Sequence, residues 1–335
     1  MLKDNLILFL GDVVPYKPYR FRNKTKTVIN LECPIVSAGQ PQEGKINLSV
    51  RENYLGKIFG RNLFSVSLAN NHILDYGDAG FQSSLAELDK LGVSSFGYDR
   101  YGDGTHNPLI TKLQDISVAF FAVVCDSTSP LKDMAGMVRL ASLDIDKLID
   151  KVKTVRDSVQ RIVVYIHWGT EESSYPELWE IQYARTLVEN GVDIVIGSHA
   201  HAPQPVERYK SGIIAYNLGN FIMPDLNNIP TYFNKEGVAQ STYNKHTMIW
   251  NRISWGILVD MSTLEYRIQR FIFFGNYVLR LPFTLLDKYM TLCPIKSEED
   301  YKAKIARLLR KRARYRRLVN FVLHPHIPEF LKKVV

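Results

Sequence analysis

The 335-residue chain is 46% hydrophobic and carries a formal net charge of +8, a composition that supplies a buried core and excludes a disordered or fibrous polypeptide. Its three cysteines have no CxxC spacing, which excludes a disulfide framework and favours a reducing compartment. No apolar run reaches the roughly 18 residues that a transmembrane helix needs, and the short apolar segment before Gly11 is far below the length of a signal peptide. We therefore expect a cytoplasmic protein, either soluble or peripheral at the inner face of the membrane.

Strand-like apolar runs alternate with helix-like segments through about residue 220, the pattern of βαβ units with a mainly parallel core. Five of these runs lead directly into residues that can bind a metal ion. The runs and the residues that follow them are 6–10 before Gly11-Asp12, 27–29 before Asn30-Leu31-Glu32, 64–68 before Asn70-Asn71-His72, 162–166 before His167, and 194–196 before His199 and His201. Helices are predicted at residues 80–91, 143–159 and 176–190.

Three further strands are predicted at residues 212–216, 256–260 and 266–274, so the sheet continues beyond the histidines. Between them, residues 224–251 are polar, rich in Asn and Tyr and weakly periodic. This segment is interpreted as an insertion loop beside the site, where substrate contacts are common.

The positive charge is concentrated near the C-terminus. Residues 302–317 hold nine Lys and Arg and no acidic residue, and the rest of the chain has 33 basic against 34 acidic residues. A basic amphipathic helical extension is therefore predicted within residues 276–335. Its apolar face comprises Tyr301, Ile305, Leu308, Leu309, Tyr315, Val319 and Val322.

Two interpretations of that helix stay open. Residues 301–322 could contact an anionic membrane surface or a synthase partner, or the apolar face could pack on the rest of the protein. Nucleic acid is a less favoured partner, because no recognised nucleic-acid-binding module accompanies the charge.

The five strand ends together predict a metal site, because open α/β sheets place their sites where the strands end. Three histidines, two carboxylates and an asparagine form a mixed nitrogen and oxygen donor set. Such a set suits Zn, Mn or Fe, and two ions better than one. In an extended backbone, His199 and His201 at positions i and i+2 would project in the same direction. Each histidine alone is more often a hydrogen-bonded core residue, but the combination is hard to attribute to chance.

Seven ordered blocks resemble the CapA family of capsule synthesis, also called the PgsA family of poly-γ-glutamate synthesis, within the calcineurin-like metallophosphoesterases. The blocks are Gly11-Asp12, Asn30-Leu31-Glu32, Leu68-Ala69-Asn70-Asn71-His72 with Asp75-Tyr76-Gly77, His167-Trp168-Gly169 with Glu171, Gly197-Ser198-His199-Ala200-His201, Gln204-Pro205-Val206-Glu207, and Tyr216-Asn217-Leu218-Gly219-Asn220-Phe221. The resemblance covers about residues 5–275 and implies an α/β fold, a four-layer αββα sandwich of two mixed sheets. It also implies a CapA-like domain at residues 1–275, followed by the helical extension at 276–335.

The resemblance also implies a ligand set. Asp12 and His201 would bind one ion, and Glu32 would bridge that ion and a second one. The second ion would be completed by Asn71, His167 and His199.

One position departs from the superfamily pattern. The first metallophosphoesterase motif adds a histidine two residues after its aspartate, and Val14 stands there in this chain. One of the two metal sites is therefore one ligand short, so the two affinities need not be comparable.

Next to the implied ligand Asn71, His72 is the natural general acid for a leaving oxygen. Asp75 could orient the His72 imidazole and raise its pKa, or could be an N-cap or turn residue before the next helix. Asn30, Glu171 and Asn220 also resemble family site residues that bind substrate or support the ligands.

Two functional hypotheses follow. In the first, the chain is a metal-dependent hydrolase of the phosphoesterase kind, acting on a phosphoester-containing precursor in capsule, poly-γ-glutamate or other cell-surface polymer biosynthesis. In the second, it is a non-catalytic synthase subunit that binds an anionic polymer through its metal site. A third, less favoured hypothesis is that the chain is a nucleic-acid phosphodiesterase.

Overall fold

The computed structural model describes residues 5–99, 106–128, 138–233, 238–245, 247–282 and 295–322. The chain divides into two units, Met1–Cys293 and Pro294–Val335. None of the helices in these described ranges is long and apolar enough to cross a membrane. Cys33 and Cys125 are free thiols, whereas Cys293 lies outside the described residues.

The strands alternate with helices in the order that the sequence predicts. The strands are β1 Leu6–Val13, β2 Arg20–Phe21, β3 Lys26–Leu31, β4 Leu63–Ser67, β5 Ser94–Phe96, β6 Tyr98–Asp99, β7 Leu109–Leu113, β8 Ile116–Val124, β9 Arg139–Leu140, β10 Arg161–His167, β11 Ile194–Ser198, β12 Val206–Tyr209, β13 Gly212–Ala215, β14 Asn220–Ile222, β15 Leu226–Phe233, β16 Ala239–Lys245, β17 Ile253–Asp260, β18 Tyr266–Phe274 and β19 Tyr277–Leu281. The helices are α1 Leu55–Phe59, α2 Gly77–Lys90, α3 Ile145–Arg156, α4 Leu178–Glu189 and α5 Glu298–Val322.

Two mixed sheets build the first unit. One has nine strands in the order β2-β19-β18-β17-β1-β3-β4-β5, with β14 paired to β1, and its β1, β3, β4 and β5 run parallel. The other has six strands in the order β12-β13-β11-β10-β8-β7, with a parallel centre formed by β13, β11, β10 and β8. The predicted parallel core is therefore confirmed in both sheets. The division predicted at residue 275 stays a prediction, although β19 extends the first sheet beyond it.

The two sheets pack face to face through large apolar side chains. Tyr165 of β10 lies against Phe9 of β1, with ring centroids 6.4 Å apart, and its hydroxyl lies 3.2 Å from the Val28 carbonyl oxygen. Phe120 of β8 similarly meets Phe96 of β5 at 5.3 Å. Helices α1 and α2 pack on the first sheet, and α3 and α4 pack on the second. This confirms the predicted four-layer αββα sandwich of two mixed sheets.

The three predicted helices exist as α2, α3 and α4, with ends that differ from the predicted ones by one to three residues. Asp144 caps α3 by accepting a hydrogen bond from the Lys147 amide. A capping box between Glu177 and Glu180 begins α4. Local side chains therefore set the starts of α3 and α4, and the apolar faces of the helices bury against the sheets.

The segment 224–251 is not the loop that its weak periodicity predicts. It contains an antiparallel hairpin, β15 and β16, in which Ile229 lies opposite Tyr243. A two-stranded ribbon outside the main sheets does not need apolar and polar residues in strict alternation. Its β-branched and aromatic residues are therefore the only feature of the sequence that indicates strands. At its base, Asp225 accepts hydrogen bonds from the Thr247 amide at 2.8 Å and from Arg252 at 2.7 Å.

The second unit contains α5, which includes the predicted helical stretch 301–322. Its first turn carries Glu298, Glu299 and Asp300, where negative charge is favoured by the helix dipole. Lys304 pairs with Asp300 at 2.6 Å. Leu309 of the predicted apolar face is 57% exposed, and the side chains of residues 315–322 lie outside the described set.

Position 197 on β11 requires a glycine because the main chain of Tyr216 passes very close to it. A Cβ atom at this position would lie 1.7 Å from the Tyr216 carbonyl oxygen and 2.7 Å from Trp168 Nε1. We expect Gly197→Ala to lower the free energy of unfolding by about 3 kcal/mol or more, because neither backbone nor indole can move freely in a packed core. Urea unfolding measures this. Gly275→Ala, with φ 58° but open space around it, is the matched control and should lose only about 1 kcal/mol; equal losses would contradict the steric explanation.

Candidate metal centre

The predicted ligands converge where strands of both sheets end. Asp12 lies on β1 and Glu32 directly follows β3, whereas His167 ends β10 and the other two histidines follow β11. Two groups of buried side chains share Glu32: one is completed by His167 and His199, the other by Asp12 and His201. Within each group the potential ligand atoms lie within 4.8 Å of one another. The geometry therefore offers two adjacent three-ligand clusters with a common carboxylate.

Glu32 is the least satisfied polar group of this centre. Its side chain is fully buried, and among the residues that the structure describes neither carboxylate oxygen has a hydrogen-bond partner. Burial, and secondly the nearby Asp12 carboxylate, raise the pKa of Glu32 well above its ordinary value. An unpartnered buried carboxylate is strongly unfavourable unless a cation neutralises it. The position of Glu32 is thus suited to a divalent metal ion on either side.

His167 and His199 present ring nitrogens to each other and to Glu32. His199 Nδ1 lies 3.1 Å from His167 Nε2, and that same Nε2 lies 2.8 Å from Asn71 Oδ1 and 3.9 Å from Glu32 Oε1. Burial, and secondly neighbouring imidazoles, lower the pKa of His167 well below its usual value and that of His199 to about 4. Both rings are therefore neutral near pH 7, which is the state that binds metals.

His201 is held between two carboxylates. Its Nδ1 lies 3.4 Å from Asp12 Oδ2, and its Nε2 lies 3.6 Å from Glu32 Oε1. Burial lowers the pKa of His201, but the Glu32 and Asp12 carboxylates outweigh that effect and raise the pKa to about 9. In the metal-free chain, a protonated His201 thus supplies positive charge that a cation would otherwise bring.

The two histidines after β11 reach the centre through a turn, not an extended strand. The strand ends at Ser198, and φ is 88° at His199 and 53° at His201, so the prediction of an extended backbone was wrong. Such left-handed conformations are costly for residues other than glycine and need support from their surroundings. Here the His199 amide donates to Asp12 Oδ2 at 3.2 Å, and the Glu172 amide donates to the Ala200 carbonyl at 2.6 Å.

Three buried asparagines hold the ligands in place. Asn30 donates to Asp12 Oδ1 at 2.8 Å, and Asn70 donates to Asn30 Oδ1 at 3.1 Å. Asn220 Oδ1 lies 2.8 Å from His201 Nδ1. Asn70 also accepts hydrogen bonds from the amides of His72 and Ile73. The sequence identified Asn30 and Asn220 as site residues but gave Asn70 no role, although it stands inside the same Asn-Asn-His motif.

His72 lies beside the centre in contact with Asp75. Its Nδ1 is 2.7 Å from Asp75 Oδ2, and the same carboxylate oxygen accepts a hydrogen bond from the Leu48 amide at 2.6 Å. Asp75 is not the cap residue of α2, which is Tyr76, but it lies in the turn directly before that helix. The structure therefore places Asp75 both in a turn and in contact with the imidazole, and its role in orienting His72 stays a prediction.

A cavity of about 320 Å³ opens onto this group of residues. His72, Asn71 and His201 line it on the side of the centre, and Lys45 and Lys245 face it from other segments. The sequence singled out neither lysine, because the residues around each carry no recognisable motif. A single cavity therefore brings together the candidate ligands, the candidate proton donor and the ammonium groups of two lysines.

Glu171 lines the same cavity and pairs with Lys245, whose Nζ lies 3.2 Å from Glu171 Oε2. Burial raises the pKa of Glu171, but His201 and then Lys245 outweigh it and lower the pKa to about 2. Because the folded pKa is depressed, Glu171 stabilises the metal-free fold above pH 4.5, and this contribution is lost as the pH falls from 4.5 toward 2. We expect the stability difference between wild type and Glu171→Gln to shrink across that range in urea unfolding. A difference that grows as the pH falls would contradict this assignment.

The sequence of residues 12–225 matches a protein-family model, whose description is bacterial capsule synthesis protein PGA_cap. The chain belongs to the PGA_cap family. All six candidate ligands of this PGA_cap protein, from Asp12 to His201, lie within the matched residues. The predicted resemblance is thereby confirmed, and the buried cluster of His, Glu and Asp is suited to bind divalent metal.

Relatives of this PGA_cap protein act in polymer synthesis. The capsule biosynthesis protein CapA of Bacillus anthracis is 26% identical over 216 residues, which cover 61% of this chain and 52% of that protein. The PGA biosynthesis protein CapA of Bacillus subtilis (strain 168) is 26% identical over 206 residues, covering 60% and 54%. The chain thus spans about half the length of the relatives it matches.

Among solved structures, the 5'-nucleotidase precursor from Thermus thermophilus aligns with 78% of this chain and 44% of that protein. The TM-score is 0.36 at 16% identity, which is too low a similarity to support any inference.

Proposed function

We propose that this chain is a metal-dependent hydrolase that cleaves a phosphoester during the biosynthesis of capsule, poly-γ-glutamate or another cell-surface polymer. One observation carries the proposal: Glu32, which is fully buried and has no hydrogen-bond partner in the described part of the chain, is shared by two clusters of potential metal ligands. The family and its named relatives provide the link to polymer synthesis. The substrate in this proposal is a phosphoester-containing precursor of the polymer.

Two divalent ions, Mn, Fe or Zn, fit the donor set. Asp12, Glu32 and His201 would hold one ion, and Glu32, His167 and His199 would hold the other with Asn71. When bound, the ions would supply Lewis-acid activation of a phosphoryl group and a water nucleophile that is active near neutral pH. Val14 is buried and offers no donor atom to the Asp12 cluster, so we expect the weaker of the two affinities there.

In the proposed reaction, water attacks phosphorus and loses a proton to solvent, and the bond from phosphorus to the leaving oxygen breaks. His72 gives a proton to that oxygen, so that an alcohol leaves and not an alkoxide, and then regains a proton from solvent. Because Nδ1 faces Asp75, the donated proton is the one on Nε2 of the doubly protonated ring. Asp75 thus fixes the ring orientation.

A second function is favoured by the two lysines at the cavity. Lys45 and Lys245 line this space, each ion-paired with a carboxylate, and their ammonium groups are the side chains that would contact an anionic polymer held without cleavage. The two proposals differ at His72, because only hydrolysis needs a proton donor.

We also propose a cytoplasmic location, with residues 301–322 at the inner face of the membrane or on a synthase partner. The exposed basic side chains Lys302, Arg307, Arg310, Lys311 and Arg314 support this surface. Imaging of a tagged chain tests the location, and a purely extracellular signal would contradict it.

Reconstitution with each metal tests the hydrolase proposal. The wild-type chain, loaded with Mn, Fe or Zn, should release phosphate or alcohol from members of a panel of phosphomonoesters and phosphodiesters. The His199→Ala, His201→Ala double variant should fall to background, because one ligand is missing from each cluster. Lys112→Met, an exposed substitution on β7, is the control and should retain activity. Wild-type protein that holds metal but cleaves no ester would favour the polymer-binding function.

A further inference from the structure

Lys45 makes two close contacts beside the candidate proton donor. Its Nζ lies 2.6 Å from Asp75 Oδ1 and donates a hydrogen bond to the Asn71 carbonyl oxygen at 2.7 Å. The other oxygen of Asp75 contacts His72 Nδ1 at 2.7 Å. The Lys45 ammonium, the Asp75 carboxylate and the His72 imidazole thus form a continuous series of contacts that ends at the cavity.

The first contact compensates a buried charge. The Asp75 side chain has no exposed surface, whereas Lys45 is 31% exposed and reaches it from the edge of the cavity. A buried carboxylate needs a countercharge to remain ionised and fixed in one orientation. Lys45 is the cation that meets Asp75 Oδ1, while the Leu48 amide and His72 share the other oxygen.

The second contact fixes the backbone. By binding the carbonyl oxygen of Asn71, Lys45 holds the peptide bond that leads directly into His72. The segment from Asn71 to Asp75 is therefore tied to Lys45 at both ends, through a main-chain atom and through a carboxylate. A loss of Lys45 would release the imidazole at both of these points.

We infer that Lys45 is a positioning residue for proton donation by His72, a role that rests on the proposed hydrolase function. Lys45 holds the Asp75 carboxylate in place, Asp75 holds Nδ1 of His72, and Nε2 is thereby directed at the leaving oxygen. One ammonium hydrogen of Lys45 is donated to the Asn71 carbonyl oxygen, and the same ammonium forms an ion pair with the Asp75 carboxylate. Its main effect is therefore expected on the chemical step and not on substrate binding.

A leaving-group series tests this inference with the reconstituted full-length chain. An alkyl phosphate needs a proton on its leaving oxygen, whereas 2,4-dinitrophenyl phosphate needs little help. We expect Lys45→Met to lower kcat for the alkyl phosphate by about 10- to 100-fold with little change in KM. The ratio of the dinitrophenyl rate to the alkyl rate should rise at least about tenfold. Lys45→Arg keeps the charge and should restore part of the alkyl rate, and the control Lys112→Met should keep the wild-type ratio.

Proton NMR of the metal-free chain gives a readout that does not depend on activity. The hydrogen between His72 Nδ1 and Asp75 should give a downfield ring NH signal, identified by its loss in His72→Gln. Lys45→Met should weaken or remove this signal, and Lys45→Arg should retain it. The dispersion of the remaining amide signals reports in the same spectra that the variants are folded.

The outcomes separate the two proposals. If wild-type protein cleaves no phosphoester, the proposed function fails. If wild-type protein is active and Lys45→Met lowers both rates equally, or only raises KM, the inference about Lys45 fails while the proposed function stands. A ring NH signal that is unchanged in Lys45→Met would also overturn the inference.

Discussion

We expect replacement of Glu32 with glutamine to abolish tight binding of both proposed metal ions. Glu32 is the one residue shared by the two clusters, so its substitution removes a charged ligand from each. An amide supplies a weaker oxygen donor and no negative charge between His167 and His201. Isothermal titration with Mn or Zn should give two binding events for wild type and none of comparable affinity for Glu32→Gln.

The same substitution should not destabilise the metal-free fold. The Glu32 carboxylate has no hydrogen-bond partner within the described ranges, and its burial and the nearby Asp12 carboxylate outweigh the attraction of His201, so a neutral side chain of nearly the same shape removes an unfavourable charge. We expect the metal-free variant to melt at or above the wild-type temperature. Metal addition should raise the melting temperature of wild type only, because ligand binding stabilises the state that binds it.

Glu180→Gln is the matched control for Glu32→Gln. Burial raises the pKa of Glu180 to about 8, so this is also a buried carboxyl group, but it belongs to the cap of α4 and not to either cluster. Glu180→Gln should keep both binding events. Tight binding of two ions by Glu32→Gln would contradict the shared-ligand geometry.

Substituting His72 with alanine should lower kcat for an alkyl phosphate by about 10²- to 10⁴-fold, the range for loss of a general acid. His72 is not a member of either ligand cluster, so both ions should remain bound. Activity on 2,4-dinitrophenyl phosphate should fall far less, because that leaving group departs without a proton. Steady-state kinetics on the two esters, with metal content measured on the same samples, tests this.

Asp75→Asn is the companion variant. It keeps the shape of the side chain but loses the charge that faces His72 Nδ1 at 2.7 Å. We expect a smaller loss than for His72→Ala, again confined to poor leaving groups. If His72→Ala retains full activity on the alkyl phosphate, His72 is not the proton donor. If wild type shows no activity and both variants still bind anionic polymer, the non-catalytic function is favoured.

The sequence predicted that the candidate ligands lie together, because each stands at or beyond the end of an apolar run. The runs before Asp12, Glu32 and His167 are buried in the parallel parts of the two mixed sheets, and parallel strands bring their carboxyl ends to one edge. The convergence of these residues could therefore be predicted from local patterns, whereas the assignment of each residue to an ion stays a prediction.

Features that depend on long-range packing could not be predicted in this way. The left-handed conformation of His199 depends on a hydrogen bond to Asp12, 187 positions earlier in the chain. The contact of Lys45 with Asp75 joins segments 30 residues apart, and no motif surrounds Lys45. The hairpin β15 and β16 stands apart from both sheets and thus lacks the apolar alternation that marks a half-buried strand.

In the proposed function, Glu32 joins two metal sites. The most direct measurement is anomalous diffraction from crystals of the full chain grown with Mn, recorded near the Mn absorption edge. We expect two anomalous peaks on either side of the Glu32 carboxylate, one reached by Asp12 and His201 and the other by His167 and His199. No peak within reach of Glu32, with Mn bound elsewhere or not at all, would contradict the account.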